Sequence, residues 1–330
     1  MTERGPSSAG PESPVSHPSE QGTWVDRRAP GRSDRRAPER DGVTIVIPAY
    51  NEELGIEDVL ISMIARMDRL VLGCPWEIIV VNDGSDDGTV EAAARVEDDR
   101  LQVLSHTENR GYGAALKTGI REARYAWILI TDADGTYPDD AVEEILSHRG
   151  PYQMVVGSRT GAISNIPLIR RPPKWVLGKI ASYLARRDIA DLNSGLRLMR
   201  KDIVNRFVHI LPNGFSFTTT ITLAMLSEGM RVKYVEIDYL RRHGTSKIRP
   251  IYDTLNFLQL IIRTVMYFDP LRVFIPLAGF FLLAAAAVGF GSYFFLPHLL
   301  DSTTVLLFVT GVQMLAIGML ADIINKRLGR

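Results

Sequence analysis

The chain has 330 residues, enough for roughly two domains of about 150 residues each, so the class of small disulfide-stapled folds is excluded. There are 38 basic and 38 acidic residues, and this balance argues against a protein whose main partner is a nucleic-acid backbone. Cys74 is the single cysteine, and the six histidines are scattered, so the sequence offers neither a disulfide framework nor a structural zinc motif.

The N-terminal segment, residues 1–41, is rich in Pro, Ser, Gly and Arg and shows no apolar periodicity. Such a composition buries too little apolar surface to offset the entropy of ordering a chain. The sequence therefore predicts a disordered tail. The segment also lacks the apolar stretch of a secretory signal peptide.

From Val43 to about Gly157, short apolar strands alternate with amphipathic helices. The strands are continuous apolar runs, which is typical of a parallel sheet buried on both faces. The first helix is expected from about Ile56 to Leu70. This alternation predicts an α/β fold with a doubly wound, mostly parallel sheet. The predicted strands begin at Val43, Glu77, Leu101, Ala126 and Tyr152, and the later helices follow Gly88, Gly113 and Asp139.

The last quarter of the chain contains two long uncharged runs. No charged residue occurs between Arg272 and Asp301, or between Asp301 and Asp322, which leaves runs of 28 and 20 residues. At about 1.5 Å per helical residue the shorter run spans about 30 Å, the thickness of a bilayer core. The sequence predicts two transmembrane helices within residues 273–330. The alternative is a pair of buried helices in a soluble protein, which would need a further domain to cover them.

Basic residues flank the two predicted spans on one side only, because the loop between the spans has none. The positive-inside rule then places the large domain and both termini on the cytoplasmic side of the cytoplasmic membrane. Residues 251–272 are expected to form an amphipathic helix on the membrane surface. The flanking basic residues are Arg263, Arg272, Lys326, Arg327 and Arg330.

Polar residues follow several of the predicted strands, where an open parallel sheet binds its ligands. Asp132 and Asp134 follow the fourth strand and are separated by one residue. Two carboxylates at a strand end suit one hard cation, Mg²⁺ or Mn²⁺, with diphosphate oxygens completing its coordination. The alternative for this pair, and for Asp83, is a helix cap or a solvated turn. No dinucleotide-binding glycine fingerprint follows the first strand, which disfavours a nicotinamide or flavin dehydrogenase.

Seven short motifs occur in an order that resembles glycosyltransferase family 2 of the GT-A fold. Within that family they are similar to the polyprenyl-phosphate glycosyltransferases, the group that includes dolichol-phosphate mannose synthase. The resemblance covers about residues 42–250, and the glycine-rich third motif either cradles a phosphate or simply starts a helix. The motifs are IPAYNEE (47–53), VNDGSDDGT (81–89), NRGYGAALKTG (109–119), TDADGTYP (131–138), GSRTG (157–161), DLNSGLRLMR (191–200) and RRHGTSK (241–247).

The resemblance implies roles for residues in the first motifs. Asp83 would hydrogen-bond the nucleotide base, and Asp132 and Asp134 would be the metal-linked catalytic pair, with Ala133 between them in the donor site. Where many relatives have a metal-binding glutamine this chain has Thr136, so a water molecule is expected to intervene there. The implied base and ribose contacts are Pro48, Ala49, Tyr50 and Glu52.

The later motifs supply the implied contacts to the sugar and to the acceptor phosphate. Arg159 and Ser194 would contact the nucleotide sugar, and Asp191 would be catalytic. The segment GFSFTTT, residues 214–220, lacks a glutamate that some relatives carry, so sugar recognition is expected to differ. The implied acceptor-phosphate contacts are Arg159, Arg197, Arg241, Ser246 and Lys247, of which Arg241 and Lys247 would also be catalytic.

A lipid phosphate is already anionic near pH 7, so it requires positioning and charge neutralisation rather than a general base. Residues 203–227 contain no Asp or Glu, whereas residues 241–247 are basic. We therefore expect a membrane-anchored, metal-dependent, inverting enzyme that moves one sugar from a UDP- or GDP-sugar to an undecaprenyl or dolichyl phosphate held in the bilayer.

Two alternatives remain at this stage. A processive polysaccharide synthase predicts more spans and a QxxRW motif, and this sequence has neither. The other alternative is an inactive relative that acts as a membrane scaffold. With either function the chain could also bind a second copy of itself. The expected organisation is a tail at 1–41, a catalytic domain at 42–250, a juxtamembrane helix at 251–272 and the spans at 273–330.

Overall fold

A computed structural model describes residues 40–70, 73–159, 178–183, 187–238, 250–295 and 301–328. Its centre is one seven-stranded sheet with strand order β3-β2-β1-β4-β6-β5-β7. Every neighbouring pair is parallel except the two pairs that involve β6. The predicted α/β class and mostly parallel sheet are confirmed. The strands are β1 (Arg40–Ala49), β2 (Trp76–Asn82), β3 (Leu101–Ser105), β4 (Tyr125–Ile130), β5 (Met154–Ser158), β6 (Arg197–Arg200) and β7 (Val232–Glu236).

The helices follow the strands in the alternating order that the sequence predicts. The third begins at Tyr112, so the expected start after Gly113 is wrong by two residues. The helices are α1 (Ile56–Arg69), α2 (Thr89–Ala94), α3 (Tyr112–Glu122), α4 (Asp139–Ser147), α5 (Lys201–Phe207), α6 (Phe217–Ser227), α7 (Pro250–Phe268), α8 (Leu271–Phe295) and α9 (Asp301–Leu328).

The sheet is apolar on both faces, as the continuous apolar strands predict. Successive side chains of a strand point to opposite faces. Ile45 and Ile47 of β1 join one buried cluster, whereas Val46 between them joins the other. Leu60 of α1 packs in the first cluster and Leu116 of α3 packs in the second. Helices therefore cover both faces, and they bury the central strands more completely than β3 and β7 at the two edges of the sheet.

The short strand β6 was not predicted from the sequence. It lies between β4 and β5 and runs antiparallel to both, with Arg197 opposite Ile130 and Arg200 opposite Trp127. Because β6 begins where β4 ends, the residues just before β6 lie at the carboxyl edge of the parallel strands. This reversal brings residues 191–196 next to residues 131–134.

Strand β1 begins at Arg40, so Arg40 and Asp41 belong to the sheet and not to the predicted tail. The remainder of that tail lies outside the described residues. At the other end of the chain, α8 and α9 pack against each other and are long and apolar enough to cross a membrane. Only 11% of the residues in the apolar stretch of either helix are buried within the protein.

Candidate active site

The loops after β1 and β2 are joined by hydrogen bonds at the carboxyl edge of the sheet. The Asn51 side-chain oxygen accepts a hydrogen bond from the Asp86 backbone N–H at 3.0 Å, and the Asn51 N–H donates to Ser85 Oγ at 3.0 Å. Asn51 holds a left-handed backbone, with φ of 57°, which is uncommon for a residue other than glycine. Of the predicted base and ribose contacts, Tyr50 is 44% exposed.

The other predicted nucleotide contacts in this region differ in accessibility. Pro48 and Ala49 are buried within β1, and Glu52 is half-buried. The Glu52 backbone N–H donates to Thr89 Oγ1 at 2.9 Å. The two loops therefore form one connected rim, on which Tyr50 offers the largest exposed surface of the four predicted residues.

Asp83 is 3% exposed and anchors the loop between β3 and α3. Its carboxylate accepts hydrogen bonds from the backbone N–H groups of Arg110, at 3.0 Å, and Gly111, at 2.7 Å. His106 Nδ1 lies 2.7 Å from Asp83 Oδ1, and its Nε2 lies 3.0 Å from Thr118 Oγ1. The contacts of Asp83 thus define a loop anchor, and its bond to a nucleotide base stays a prediction.

Asp132 lies at the centre of the candidate site and receives hydrogen bonds from two tyrosines. Tyr112 Oη donates to Asp132 Oδ1 at 3.3 Å, and Tyr137 Oη donates to Asp132 Oδ2 at 3.1 Å. Burial raises the pKa of Asp132, and the neighbouring charge of Asp134 raises it further. The two hydroxyl groups partly offset this effect because they stabilise the ionised carboxylate.

Gly195 packs directly against this carboxylate. A Cβ atom at position 195 would lie 2.5 Å from Asp132 Oδ2, closer than atoms can approach. The Gly195 N–H donates to Tyr137 Oη at 2.7 Å, so the same tyrosine links this loop to Asp132. Glycine is therefore required here because any side chain would displace the carboxylate.

The donor set at Asp132 and Asp134 fits a hard divalent cation. Each residue supplies carboxylate oxygens. Burial first, and the charge of Asp134 second, raise the pKa of Asp132, and a bound cation would offset both effects. Among the described residues no group of three or more His, Cys, Asp or Glu side chains could hold a metal. Two carboxylates alone leave coordination positions for phosphate oxygens and water, which is the usual arrangement for Mg²⁺.

Thr136 is 1% exposed, and its hydroxyl donates to Asp134 Oδ1 at 2.7 Å. Its backbone N–H donates to the same oxygen at 3.2 Å. Thr136 therefore holds the Asp134 carboxylate in place. Ala133, between the two aspartates, is buried, and its carbonyl oxygen faces Gly55 of the first loop.

Arg159 and Asp191 form a two-pronged ion pair at the same edge. Arg159 Nε donates to Asp191 Oδ2 at 2.7 Å and an Nη donates to Asp191 Oδ1 at 3.0 Å. The Asn193 N–H also donates to Asp191, which is 4% exposed. Arg159 lowers the pKa of Asp132, so its positive charge lies within electrostatic reach of the carboxylate pair. Asp191 thus fixes the orientation of the Arg159 guanidinium, and its catalytic role stays a prediction.

Arg197 does not fit its predicted role as an acceptor-phosphate contact. Its side chain has 0% exposure and lies between β6 and α6. Its guanidinium donates to the carbonyls of Ser194, at 3.1 Å, and Thr218, at 3.0 Å, and to Thr222 Oγ1 at 2.9 Å. The correction has a simple physical reason: a fully buried guanidinium that binds main-chain carbonyls stabilises the fold. Ser194 is likewise fully buried.

The structure thus brings Asp132, Asp134, Arg159 and Asp191 together at one edge. The remaining predicted contacts, Arg241, Ser246 and Lys247, lie outside the described residues. Sequence reasoning assigned no role to Tyr112, Tyr137 or His106. Both tyrosines stand inside motifs that the sequence singled out, but only the motif of Tyr137 also contains the aspartate pair, so no such signal pointed to Tyr112.

Comparisons with known proteins agree with this architecture. The family model described as Glycosyl transferase family 2 matches residues 44–207, and the model described as GtrB C-terminal hairpin matches residues 269–326. A dolichyl-phosphate hexose transferase of Haloferax volcanii is 30% identical over 212 residues, which are 64% of this chain and 88% of that protein.

Other relatives extend over different shares of the chain. An undecaprenyl-phosphate 4-deoxy-4-formamido-L-arabinose transferase of Pseudomonas aeruginosa is 29% identical over 309 residues, covering 87% of this chain and 86% of that protein. A dolichol-phosphate mannosyltransferase of Pyrococcus furiosus is 29% identical over 221 residues, covering 63% of this chain. This chain spans only 59% of the length of that archaeal protein.

A solved structure shares the fold. Glucosyl-3-phosphoglycerate synthase from Mycobacterium tuberculosis, crystallised with Mn²⁺, UDP and phosphoglyceric acid, matches 68% of this chain and 78% of its own with a TM-score of 0.51 and 19% identity. The mostly parallel sheet with its carboxylate-bearing edge is the architecture of a GT-A-type glycosyltransferase. The chain belongs to glycosyltransferase family 2.

Proposed function

We propose that the protein transfers a single sugar from a UDP- or GDP-sugar to a polyprenyl phosphate, with inversion at the anomeric carbon. Support comes from relatives named as dolichyl- and undecaprenyl-phosphate sugar transferases. It also comes from the site itself, where a carboxylate pair lies beside an arginine at the carboxyl edge of the sheet. The observation that carries the proposal is the clustering of Asp132, Asp134 and Arg159.

The donor would bind across the loops after β1, β2 and β4. Asp132 and Asp134 would hold Mg²⁺ or Mn²⁺ together with the diphosphate of the donor. When bound, such a cation supplies positive charge to the departing nucleoside diphosphate. Tyr112 and Tyr137 hold the Asp132 carboxylate in one orientation, and Thr136 does the same for Asp134. Both carboxylates would thus meet the donor in fixed orientations.

The acceptor would approach from the membrane. Its phosphate oxygen forms a bond to the anomeric carbon while the bond from that carbon to the donor diphosphate breaks, so the configuration inverts. Because the nucleophile is already anionic, no general base is required. Arg159, held by Asp191, would balance negative charge near the reacting centre. The predicted contacts Arg241, Ser246 and Lys247 would complete the phosphate site.

Residues 42–250 would form the catalytic domain, and α8 and α9 would anchor it in the cytoplasmic membrane. The prenyl chain must stay in the bilayer, because withdrawing it exposes apolar area at about 25 cal/mol per Å². Arg272 in the first turn of α8, and Lys326 and Arg327 near the end of α9, support an orientation with the domain and both termini in the cytoplasm. A reporter fused to the C-terminus tests this topology, since labelling from the outer side would contradict it.

The decisive experiment uses the full-length protein reconstituted in lipid vesicles with undecaprenyl phosphate. A panel of UDP- and GDP-sugars is supplied with Mg²⁺ or Mn²⁺, and the lipids are analysed by mass spectrometry. We expect one donor to increase the mass of undecaprenyl phosphate by one sugar residue, attached to its phosphate. Undecaprenol, which lacks the phosphate, should give no product. Absence of product with every donor and both metals would favour a scaffold function.

A further inference from the structure

The loop before α6 presents an unusual aromatic side chain beside the candidate site. Phe215 is 84% exposed, although it lies outside the C-terminal helices α8 and α9. Its ring stacks on Tyr112, with ring centroids 5.5 Å apart and planes 17° from parallel. The hydroxyl of the same Tyr112 donates a hydrogen bond to Asp132. Tyr112 therefore contacts both Phe215 and the Asp132 carboxylate.

The position of this loop is fixed by contacts with α3. The Ala114 N–H donates to the carbonyl of Asn213 at 3.0 Å, and Lys117 Nζ donates to the Asn213 side-chain oxygen at 2.8 Å. Gly111 has φ of 98°, and a Cβ there would lie 2.6 Å from the Asn213 carbonyl oxygen. The glycine-rich turn that the sequence offered as a phosphate cradle therefore accommodates the backbone of residues 212–214. Phe215 is thus held on an ordered support.

An aromatic face that is solvent-exposed yet held beside a polar site suits a ligand with one apolar face. We propose that Phe215 packs against the C–H face of the sugar ring that is transferred, and so forms one wall of the sugar subsite. This inference rests on the proposed function. The sugar is bonded directly to the diphosphate, so a diphosphate bound at Asp132 and Asp134 brings the sugar next to this aromatic pair. The nucleotide base is at the far end of the donor.

The test compares the binding of donors with and without the sugar. Titration calorimetry in Mn²⁺ measures UDP against UDP-glucose and GDP against GDP-mannose, for the wild type and for Phe215→Ala, Phe215→Leu and Phe215→Tyr. Ile61→Ala is the matched control, because Ile61 is an exposed apolar residue on α1. We expect Ala and Leu to weaken nucleotide-sugar binding about tenfold and leave nucleoside-diphosphate binding unchanged. Tyr, which keeps the ring, and the Ile61 control should bind like the wild type.

Three outcomes would overturn the inference. Equal weakening of nucleoside diphosphate and nucleotide sugar would show that Phe215 acts by supporting Tyr112 and Asp132. Unchanged donor binding with a raised KM for undecaprenyl phosphate would assign Phe215 to the acceptor chain. If the wild type binds neither UDP nor GDP, the proposed function fails as well, and that failure is visible before any variant is measured.

Discussion

Helices α6 and α8 are both strongly apolar, yet the protein places them in opposite environments. In α6 the ten residues from Phe217 to Leu226 are all buried under the sheet. The helix α8 has 25 residues, and only 11% of the residues in its apolar stretch are buried. Composition alone does not separate a core helix from a candidate membrane span. Length together with burial does, because 11 residues at about 1.5 Å each are too short for a bilayer.

The two helices also differ in their contacts with polar groups. Thr218 and Thr222 of α6 accept hydrogen bonds from Arg197, so a charged group lies buried against this helix. Side chains on the outer surface of α8, such as Phe280 and Leu283, make no comparable polar contact among the described residues. The stability of the catalytic domain should therefore depend on hydrogen bonds between buried polar groups. The stability of the hairpin formed by α8 and α9 should depend on the lipid or detergent around it.

The largest effect on stability is expected for Arg197→Met. The substitution leaves the carbonyls of Ser194 and Thr218 without their charged donor inside the protein. Such bonds contribute about 1.5–3 kcal/mol each, so we expect unfolding free energy to fall by about 3 kcal/mol or more. Denaturant titration in detergent micelles measures it, and Arg197→Lys should not restore stability because it cannot reach several acceptors at once. A stable Met variant that binds undecaprenyl phosphate poorly would instead support the predicted role of Arg197 as a contact to the acceptor phosphate.

A matched pair of leucines sharpens the comparison between the two helices. Leu223 in α6 has 0% exposure and Leu283 in α8 is 73% exposed. Leu223→Ala should lower the free energy of unfolding by about 2–5 kcal/mol, because it opens a cavity in the core. Leu283→Ala should change it by less than about 0.5 kcal/mol in micelles, a typical value for a surface position. Equal losses at both sites would show that α8 is covered by protein.

The smallest expected effect on the free energy of unfolding comes from the ion pair between Asp98 and Arg100, and it depends on pH. Hydrogen bonds from Arg100 hold the pKa of Asp98 below its usual value, and Arg100 also stacks over Trp76. A lowered folded-state pKa contributes stability above the unfolded pKa of about 3.9, and this stability is lost as pH falls through the folded pKa. Asp98→Asn should therefore cost at most about 1 kcal/mol at pH 7.

The difference between this variant and the wild type should begin to close below the unfolded pKa of about 3.9 and should vanish once the pH lies below the lowered folded-state pKa of Asp98. Thermal melts at pH 7 and at pH 3 measure the two gaps. A gap that is as large at pH 3 as at pH 7 would show that Asp98 stabilises the fold by packing rather than by charge.

The sequence predicted those parts of the fold that have a strong periodic signal. The parallel strands β1 to β5 are apolar runs, and the polar residues that follow them identified the carboxylate pair. Strand β6 was missed because four residues, two of them arginines, carry no apolar period. Arg197 was misassigned because a sequence does not distinguish a buried guanidinium from an exposed one.

The tyrosines at positions 112 and 137 were passed over for a related reason. Each meets Asp132 from a different segment, one from the start of α3 and one from the loop after β4. Such a convergence is set by how the helices and loops pack on the sheet. The support of Phe215 by α3 depends on the same packing, which local sequence patterns do not encode.

Binding of Mn²⁺ by the reconstituted protein tests most directly whether Asp132 and Asp134 hold the donor diphosphate through a cation. Electron paramagnetic resonance follows free Mn²⁺ with UDP or GDP present, for the wild type, for Asp134→Asn and for Asp140→Asn, a nearby exposed carboxylate that serves as the control. We expect Asp134→Asn to weaken Mn²⁺ binding about tenfold or more, and Asp140→Asn to bind like the wild type. Wild-type affinity in Asp134→Asn would contradict the proposed metal site.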